Sequence, residues 1–217
     1  MDSAIEIEDV VKRKQPKRKQ VACSPLNWKD QFLMLISKMS HEISLRPTHP
    51  NSLTLAKYQT VIAAGCYTGE RAKVLLSFRW VDLLNEKETV LKQSKVFRNR
   101  KVFIHPDLVS IAEKNQLIVK PESDHFPILH NERFQPISTI SFNTQLRKYF
   151  ERYEIETDNP SSHTLRKTFG TRLFEVEGGD VLALATVQKA LGHRSPEYTA
   201  DYLGVTWKKV RLGLEKM

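Results

Sequence analysis

The chain has 217 residues, with 34 lysines and arginines against 25 aspartates and glutamates, and a formal net charge of +9 at pH 7. That length suits one well-buried domain with a small appendage, and the basic balance points to a polyanionic partner, nucleic acid ahead of an anionic membrane surface. No long apolar run or signal peptide is present, and Cys23 and Cys66 are too far apart in sequence for a zinc motif or a disulfide framework, so a reduced intracellular protein is expected rather than a secreted or membrane-spanning one.

Residues 1–24 do not read as folded. An acidic start gives way to KRKQPKRKQ, in which Lys12, Arg13, Lys14, Lys17, Arg18 and Lys19 crowd around Pro16 without apolar spacing. Three readings fit this arm: a solubilising tail, a DNA-gripping segment, or a nuclear import signal. From Asn27 the pattern becomes helical, with Trp28, Phe32, Leu35, Ile36, Met39 and Ile43 as the apolar stripe and Asn27 with Asp30 as a capping pair. After a loop over Arg46 to Pro50, Ser52 can cap a second helix whose Leu55, Tyr58, Ile62 and Gly65 face inward, and which ends at Tyr67-Thr68-Gly69.

Glu70-Arg71 opens a further short helix with Val74, Leu75 and Phe78 as its apolar side. Residues 80–105 contain β-formers in three pieces, WVDLL, ETVL and KVFIH, and read as a small three-stranded antiparallel sheet. A basic loop carrying Lys95, Arg98 and Arg100 joins the last two pieces; by itself this is a generic phosphate-binding finger. Pro106 begins a helix to about Gln116, residues 120–136 form a loop with an apolar patch at Phe126 to Leu129, and Thr139 to Tyr153 is helical with Ile140, Phe142, Leu146 and Phe150 inside.

The stretch from Ser161 to Gly204 carries the chemistry. Ser161 caps a helix on which His163, Arg166 and Gly170 share one face, and Leu165, Phe169, Arg172 and Val176 share the other. Val181 to Ala190 is a second helix stopped by Gly192, with His193 in the turn; Pro196 starts a last short helix bearing Tyr198 and Tyr202. A histidine and an arginine aimed the same way present a donor and a fixed cation to one anionic group. Taken singly, each of these residues would be an ordinary structural one.

Together the spacing changes the reading. His163-x-x-Arg166, then Leu191-Gly192-His193, then Tyr202 nine residues on, resembles the catalytic signature of the tyrosine recombinase (phage integrase) family. The segment TGERAKVLLSFRWVDL resembles the family's first arginine motif and makes Arg71 its arginine; Val74 stands where the family usually has a glutamate, which puts the local hydrogen bonding in question. The basic hairpin resembles the family's lysine hairpin, with Lys95, Arg100 and Val102 in register and Lys92 out of it. Lys167 replaces a frequent histidine. The stretch from Gly179 to Leu191 is longer than the common pattern, which could displace His193.

What the resemblance implies is an α+β, mainly α-helical catalytic domain over residues 25–217, preceded by the arm at 1–24. It also implies that Arg71, Lys95, His163, Arg166, His193 and Tyr202 form the catalytic set. Tyr202 attacks a DNA phosphodiester, giving a 3′-phosphotyrosyl link and a free 5′-hydroxyl. Arg71 and Arg166 hold the non-bridging oxygens, His163 is the base, Lys95 the acid, and His193 a phosphate donor. No metal and no other cofactor is required. Tyr198 also lies on the last helix, but only Tyr202 keeps the family's distance from His193.

The implied partner is double-stranded DNA, engaged by a homotetramer that is a monomer or weak oligomer when free, in the cytoplasm of a bacterium or for a mobile element. Arg98, Arg100 and the arm cations are the expected DNA contacts beyond the catalytic set. A helix over 204–216 docks either on its own domain or on a neighbouring subunit. Family members usually carry a separate core-binding domain ahead of the catalytic one; Met1 favours a chain complete at this short length, the alternative being a piece of a longer protein. Competing readings are a type IB topoisomerase, a catalytically silent DNA-binding regulator of a full-length recombinase, and a basic helical domain with accidental spacing.

Overall fold

Helix α2 (Pro50–Thr68) is apolar nearly all round, and such a helix can only be stable buried. In the computed structural model, which describes residues 22–84, 88–92 and 99–204 (backbone alone at 88–92 and 99–100), it is the central post. Pro50 occupies its first turn, and the cap is the His49 imidazole, which accepts from the Asn51 N–H at 3.2 Å. The expected cap Ser52 is instead a buried residue within the helix. Gly69 ends it at φ 63°, in the left-handed region.

Helix α1 (Met34–Leu45) follows a wide π turn over Trp28–Leu33. Asn27 accepts from the N–H groups of Lys29 and Asp30, both at 2.9 Å. Its own N–H donates to Gln31 Oε1 at 2.7 Å, so Gln31 closes the reciprocal pair expected of Asp30. Phe32, Leu35, Met39 and Ile43 are buried as the stripe requires. Helix α5 (Pro106–Val119) packs on the other side of α2. A buried polar link runs through all three: Asn115 donates to Gln59 Oε1 at 2.8 Å, and Gln59 donates to the Ile36 carbonyl at 2.8 Å. Each member is satisfied, so the link orients the helices without stranding a polar group.

Helix α3 (Ala72–Leu75) begins after Arg71, which is its cap residue rather than its first turn. The segment expected as the first strand, WVDLL, is instead helix α4 (Trp80–Leu83). The reason is local. Asp82 accepts from the Arg79 backbone N–H at 2.9 Å and from its guanidinium at 2.9 and 2.7 Å, which curls the chain. Trp80 and Leu83, three apart, then turn one face inward. Strands β1 (Glu88–Lys92) and β2 (Asn99–Phe103) pair antiparallel, Glu88 opposite Phe103 and Lys92 opposite Asn99. Among the described residues the sheet therefore has two strands, not three. The Phe126–Leu129 patch supplies a different bridge, with the Ile128 N–H donating to the Phe78 carbonyl at 2.9 Å.

Helix α6 (Thr139–Arg152) starts at Ser138, whose hydroxyl accepts from the Ser141 N–H at 3.0 Å. Phe142, Leu146, Tyr149 and Phe150 face the core. Ile140 does not; it falls on the opposite side of the helix and is 79% exposed. Helices α7 (Ser162–Val176), α8 (Val181–Leu191) and α9 (Pro196–Leu203) complete the fold. Val176, expected on the packed face of α7, lies in its last turn and is 60% exposed. Helix α7 reaches α2 at Gly65, where an added Cβ would meet Leu165 Cδ1 at 2.8 Å; no larger residue permits that approach. The architecture is thus mainly helical with a small β-hairpin, an α+β fold.

Candidate active site

The N-terminus of α7 is tied down from several directions. The Ser161 hydroxyl accepts from the His163 N–H at 3.3 Å, Thr164 Oγ1 accepts from the Ser161 N–H at 3.1 Å, and Asn143 of α6 accepts from the Ser162 N–H at 2.9 Å. One turn on, Arg166 is only 4% exposed. Its guanidinium donates to the Gly69 carbonyl and, at 2.6 Å, to the Leu191 carbonyl. Those carbonyls close the C-terminal ends of α2 and α8, where helix dipoles favour a cation. The buried charge is thereby compensated, and one side chain pins three helices together.

Gly192, at φ 63°, lets α8 stop: its N–H donates to the Lys189 carbonyl at 3.2 Å, and the His193 N–H donates to Gln188 at 3.0 Å. In the longer Gly179–Leu191 stretch the chain turns at Gly178 and Gly179, both at positive φ, and the first residues of α8, Val181 and Leu182, are exposed. His193 Nδ1 lies 3.1 Å from the Thr199 hydroxyl, which itself donates to the Ser195 carbonyl at 3.2 Å. With its one proton given to the Ser195 carbonyl, as this geometry allows, the hydroxyl accepts from His193. The imidazole therefore carries its proton on Nδ1 and leaves Nε2 bare. Burial, then the charges of Arg166 and Arg71, push the His193 pKa down to about 4, so it is neutral at pH 7.

Tyr202 lies edge-on to His193, ring centroids 5.0 Å apart, and Tyr198 flanks the same imidazole at 4.8 Å. The two tyrosines differ sharply: Tyr198 is 59% exposed, whereas the Tyr202 hydroxyl is shut away from solvent and makes no hydrogen bond of ordinary geometry. Burial raises the phenol pKa; the nearby Arg166 guanidinium pulls the other way, and Cys23 and Tyr198 add to the rise. Gly170 makes this packing possible. A Cβ there would meet Leu191 Cδ1 and Leu203 Cδ2, each at 3.3 Å, so what comes close to the glycine is α8 and α9.

Arg71 is exposed at the cap of α3, and its charge is felt at His193. His163 is also exposed; burial of part of its ring, then Arg166 and Lys167, lower its pKa. Arg166, His193 and Tyr202 thus form the packed centre, with Arg71 and His163 at its rim. Lys95, Arg98, the arm cations Lys12, Arg13, Lys14, Lys17, Arg18 and Lys19, and the expected helix at 204–216 beyond Gly204 lie outside the described residues. Arg100 stands on β2 opposite Leu91.

Further residues belong to this neighbourhood: Thr199 and Glu70 carried no sequence signal of their own, while Lys167 and Val74 stand out in the sequence as departures from the family pattern. Thr199 is fully buried, with its hydroxyl 3.1 Å from His193 Nδ1. Lys167 sets its ammonium over the Tyr202 ring. Val74 is half-buried where the resemblance would have a glutamate, and a carboxylate sits at Glu70 instead, 1% exposed, with Oε2 accepting from the Arg71 N–H at 3.3 Å. Among the described residues no three His, Cys, Asp or Glu side chains converge to hold a metal ion.

The chain is similar in fold to solved recombinases and integrases. The chain superposes on XerH site-specific recombinase in a post-cleavage complex with palindromic difH substrate, with TM-score 0.66 and 18% identity over 88% of this chain and 52% of that one. For XerA recombinase the values are 0.63 and 20%, over 93% and 66%. The catalytic domain of bacteriophage HP1 integrase matches at 0.52 and 16%, and there 94% of the other chain is covered. The chain therefore spans between about half and two thirds of the longer recombinases and nearly all of an isolated catalytic domain. No curated protein matches. The family model described as "Phage integrase family" matches residues 26–208, and on that match the chain belongs to the phage integrase family.

Proposed function

We propose that the chain is the catalytic part of a site-specific DNA recombinase that cuts and rejoins duplex DNA through Tyr202. The observation that carries this reading is the packing of Arg166, His193 and the Tyr202 phenol into one cluster, with Arg71 and His163 at its edge.

In this mechanism Arg71 and Arg166 bind the two non-bridging oxygens of the scissile phosphate, which gain charge as phosphorus becomes five-coordinate. The Tyr202 oxygen attacks phosphorus, its proton passes to His163, and the bond to the 5′-oxygen breaks as Lys95 protonates the leaving group. A 5′-hydroxyl of another strand reverses the step. His193 is neutral in the free protein with Nε2 unprotonated. An arriving phosphate supplies the negative charge that favours imidazolium, so His193 takes up a proton on DNA binding and then donates from Nε2. The phenol is stored rather than presented, and DNA entry must turn its hydroxyl from the interior toward the phosphate.

Residues 25–217 act as one catalytic domain and the basic residues of the arm, with Arg98 and Arg100, add phosphate contacts. Double-stranded DNA is the partner. Two strand exchanges are carried out by a homotetramer that is monomeric or weakly associated off DNA, acting in the cytoplasm on the nucleoid or on a mobile element.

The test is a half-site duplex nicked beside the scissile phosphate, so that the short leaving strand escapes and the intermediate accumulates. Wild type and Tyr198→Phe are expected to give a covalent protein–DNA band in a denaturing gel, and Tyr202→Phe none. A band that survives Tyr202→Phe overturns the assignment. The sealed Tyr202 hydroxyl favours a second reading, a silent DNA-binding regulator; binding to cognate half-sites with no band at any of them would establish it.

A further inference from the structure

The Tyr202 hydroxyl is buried without a hydrogen bond of ordinary geometry, and the polar group that acts on it is the nearby Arg166 guanidinium. Further contacts hold the side chain by its ring. One contact is the edge-on packing against His193 at 5.0 Å. Another is Lys167, whose Nζ stands 5.5 Å from the ring centroid, within the range in which an ammonium and an aromatic face attract. Leu203, next to Tyr202, is seated on Gly170 of the same helix that carries Lys167.

Lys167 directly follows Arg166 on α7, so the backbone that fixes one cation against the carbonyls of Gly69 and Leu191 also fixes the root of the other. The lysine is half-buried, and its ammonium reaches the ring. We propose that Lys167 is the positioning residue of Tyr202: its ammonium covers the ring and keeps the phenol docked on α7 with the hydroxyl beside Arg166. This rests on the reading of Tyr202 as nucleophile and adds to it the group that sets where the nucleophile waits. A cation at this position is required, not merely a long side chain.

The experiment uses the full chain with Lys167→Met, which keeps the stem and removes the charge, and Lys167→Arg, which keeps a cation able to stack. 3-Fluorotyrosine is placed at position 202, or at 198 as the exposed reference, and the difference in its ¹⁹F shift between H₂O and D₂O is read in mildly acidic buffer as ring exposure. In parallel, the rate of covalent complex formation on the nicked half-site is measured at saturating DNA. Lys167→Met is expected to raise the isotope shift at 202 and, by loosening the stored phenol, to raise the saturated rate, each roughly threefold, the population ratio such a contact is worth. Half-site affinity should stay within about twofold, and Lys167→Arg should restore both readouts.

An unchanged isotope shift at 202 in Lys167→Met overturns the proposal. So does a loss of affinity with an unchanged saturated rate, which would make Lys167 a phosphate contact, or a failure of arginine to restore the shift. If wild type forms no covalent complex while the isotope shift still follows the charge at 167, the hold on the ring stands and the nucleophile reading fails.

Discussion

Thr199→Val tests the hydrogen-bond chain behind His193. The substitution keeps the shape of a fully buried side chain and exchanges its hydroxyl for a methyl group. Two bonds go: His193 Nδ1 to Thr199 at 3.1 Å, and Thr199 to the Ser195 carbonyl at 3.2 Å. At about 0.5–1.5 kcal/mol net for each, the folded state should lose about 1–3 kcal/mol. For a chain of this size that lowers Tm by about 2–4 °C per kcal/mol.

Without its acceptor, the His193 imidazole loses the reason to carry its proton on Nδ1, and the Nε2–H tautomer gains population. Long-range ¹H–¹⁵N spectra of the histidine ring distinguish the two tautomers, and calorimetry gives the stability change. Thr199→Ser keeps the hydroxyl and should retain the Nδ1–H form. A Thr199→Val protein that melts with wild type and keeps the Nδ1–H tautomer would refute the argument that this one hydroxyl sets the ring.

Tyr202→Phe should abolish covalent complex formation yet leave stability unchanged or raise it by up to about 1 kcal/mol, because the hydroxyl it removes is buried without a hydrogen bond of ordinary geometry; a loss above about 1 kcal/mol by denaturant unfolding would show that the hydroxyl is held after all. Gly69→Ala should destabilise by more than about 1 kcal/mol, since φ is 63° and the new methyl runs into the Phe169 ring, and it should disturb the carbonyl that receives Arg166; full stability by calorimetry would contradict this. The folded-state pKa of His193, about 4, is depressed below the unfolded value of about 6.5, so its neutral form stabilises the fold above pH 6.5 and that contribution is lost as pH falls through the window down to 4. Allowing for partial solvent screening, the loss is on the order of 1 kcal/mol. His163 acts in the same direction. Thermal melts across the window should flatten in His193→Asn, and an unaltered pH slope would place the proton uptake elsewhere.

Much of the site was legible in the chain because it rests on local periodicity. Ser161 as a cap, and Gly192 as a left-handed stop before His193, follow from backbone rules that a few neighbouring residues settle. Tyr198 and Tyr202 share a helix, and the spacing to His193 favoured Tyr202, the one whose hydroxyl lies inside. The WVDLL segment shows where local reading stops. Its β-formers suit a strand, but the three contacts from Asp82 to Arg79 and the pull of Trp80 and Leu83 toward the core make it a helix. Ile140 failed for a similar reason: an apolar residue names its face only when the neighbouring helix is known.

By itself the sequence determined the longer helices and the turns that end them, and that two histidines, two arginines, a lysine and a tyrosine recur at the spacing of one family. Only the tertiary structure decided that Arg166 is buried between the C-terminal ends of α2 and α8, that the Thr199 hydroxyl lies 3.1 Å from His193 Nδ1, and that the Tyr202 hydroxyl faces inward under Lys167. Those facts join residues whose separations along the chain run to 97 positions, as between Arg166 and Gly69. Helix periodicity has no reach over such distances; the close approaches at Gly65 and Gly170, where a missing side chain lets whole helices meet, are what bring them together.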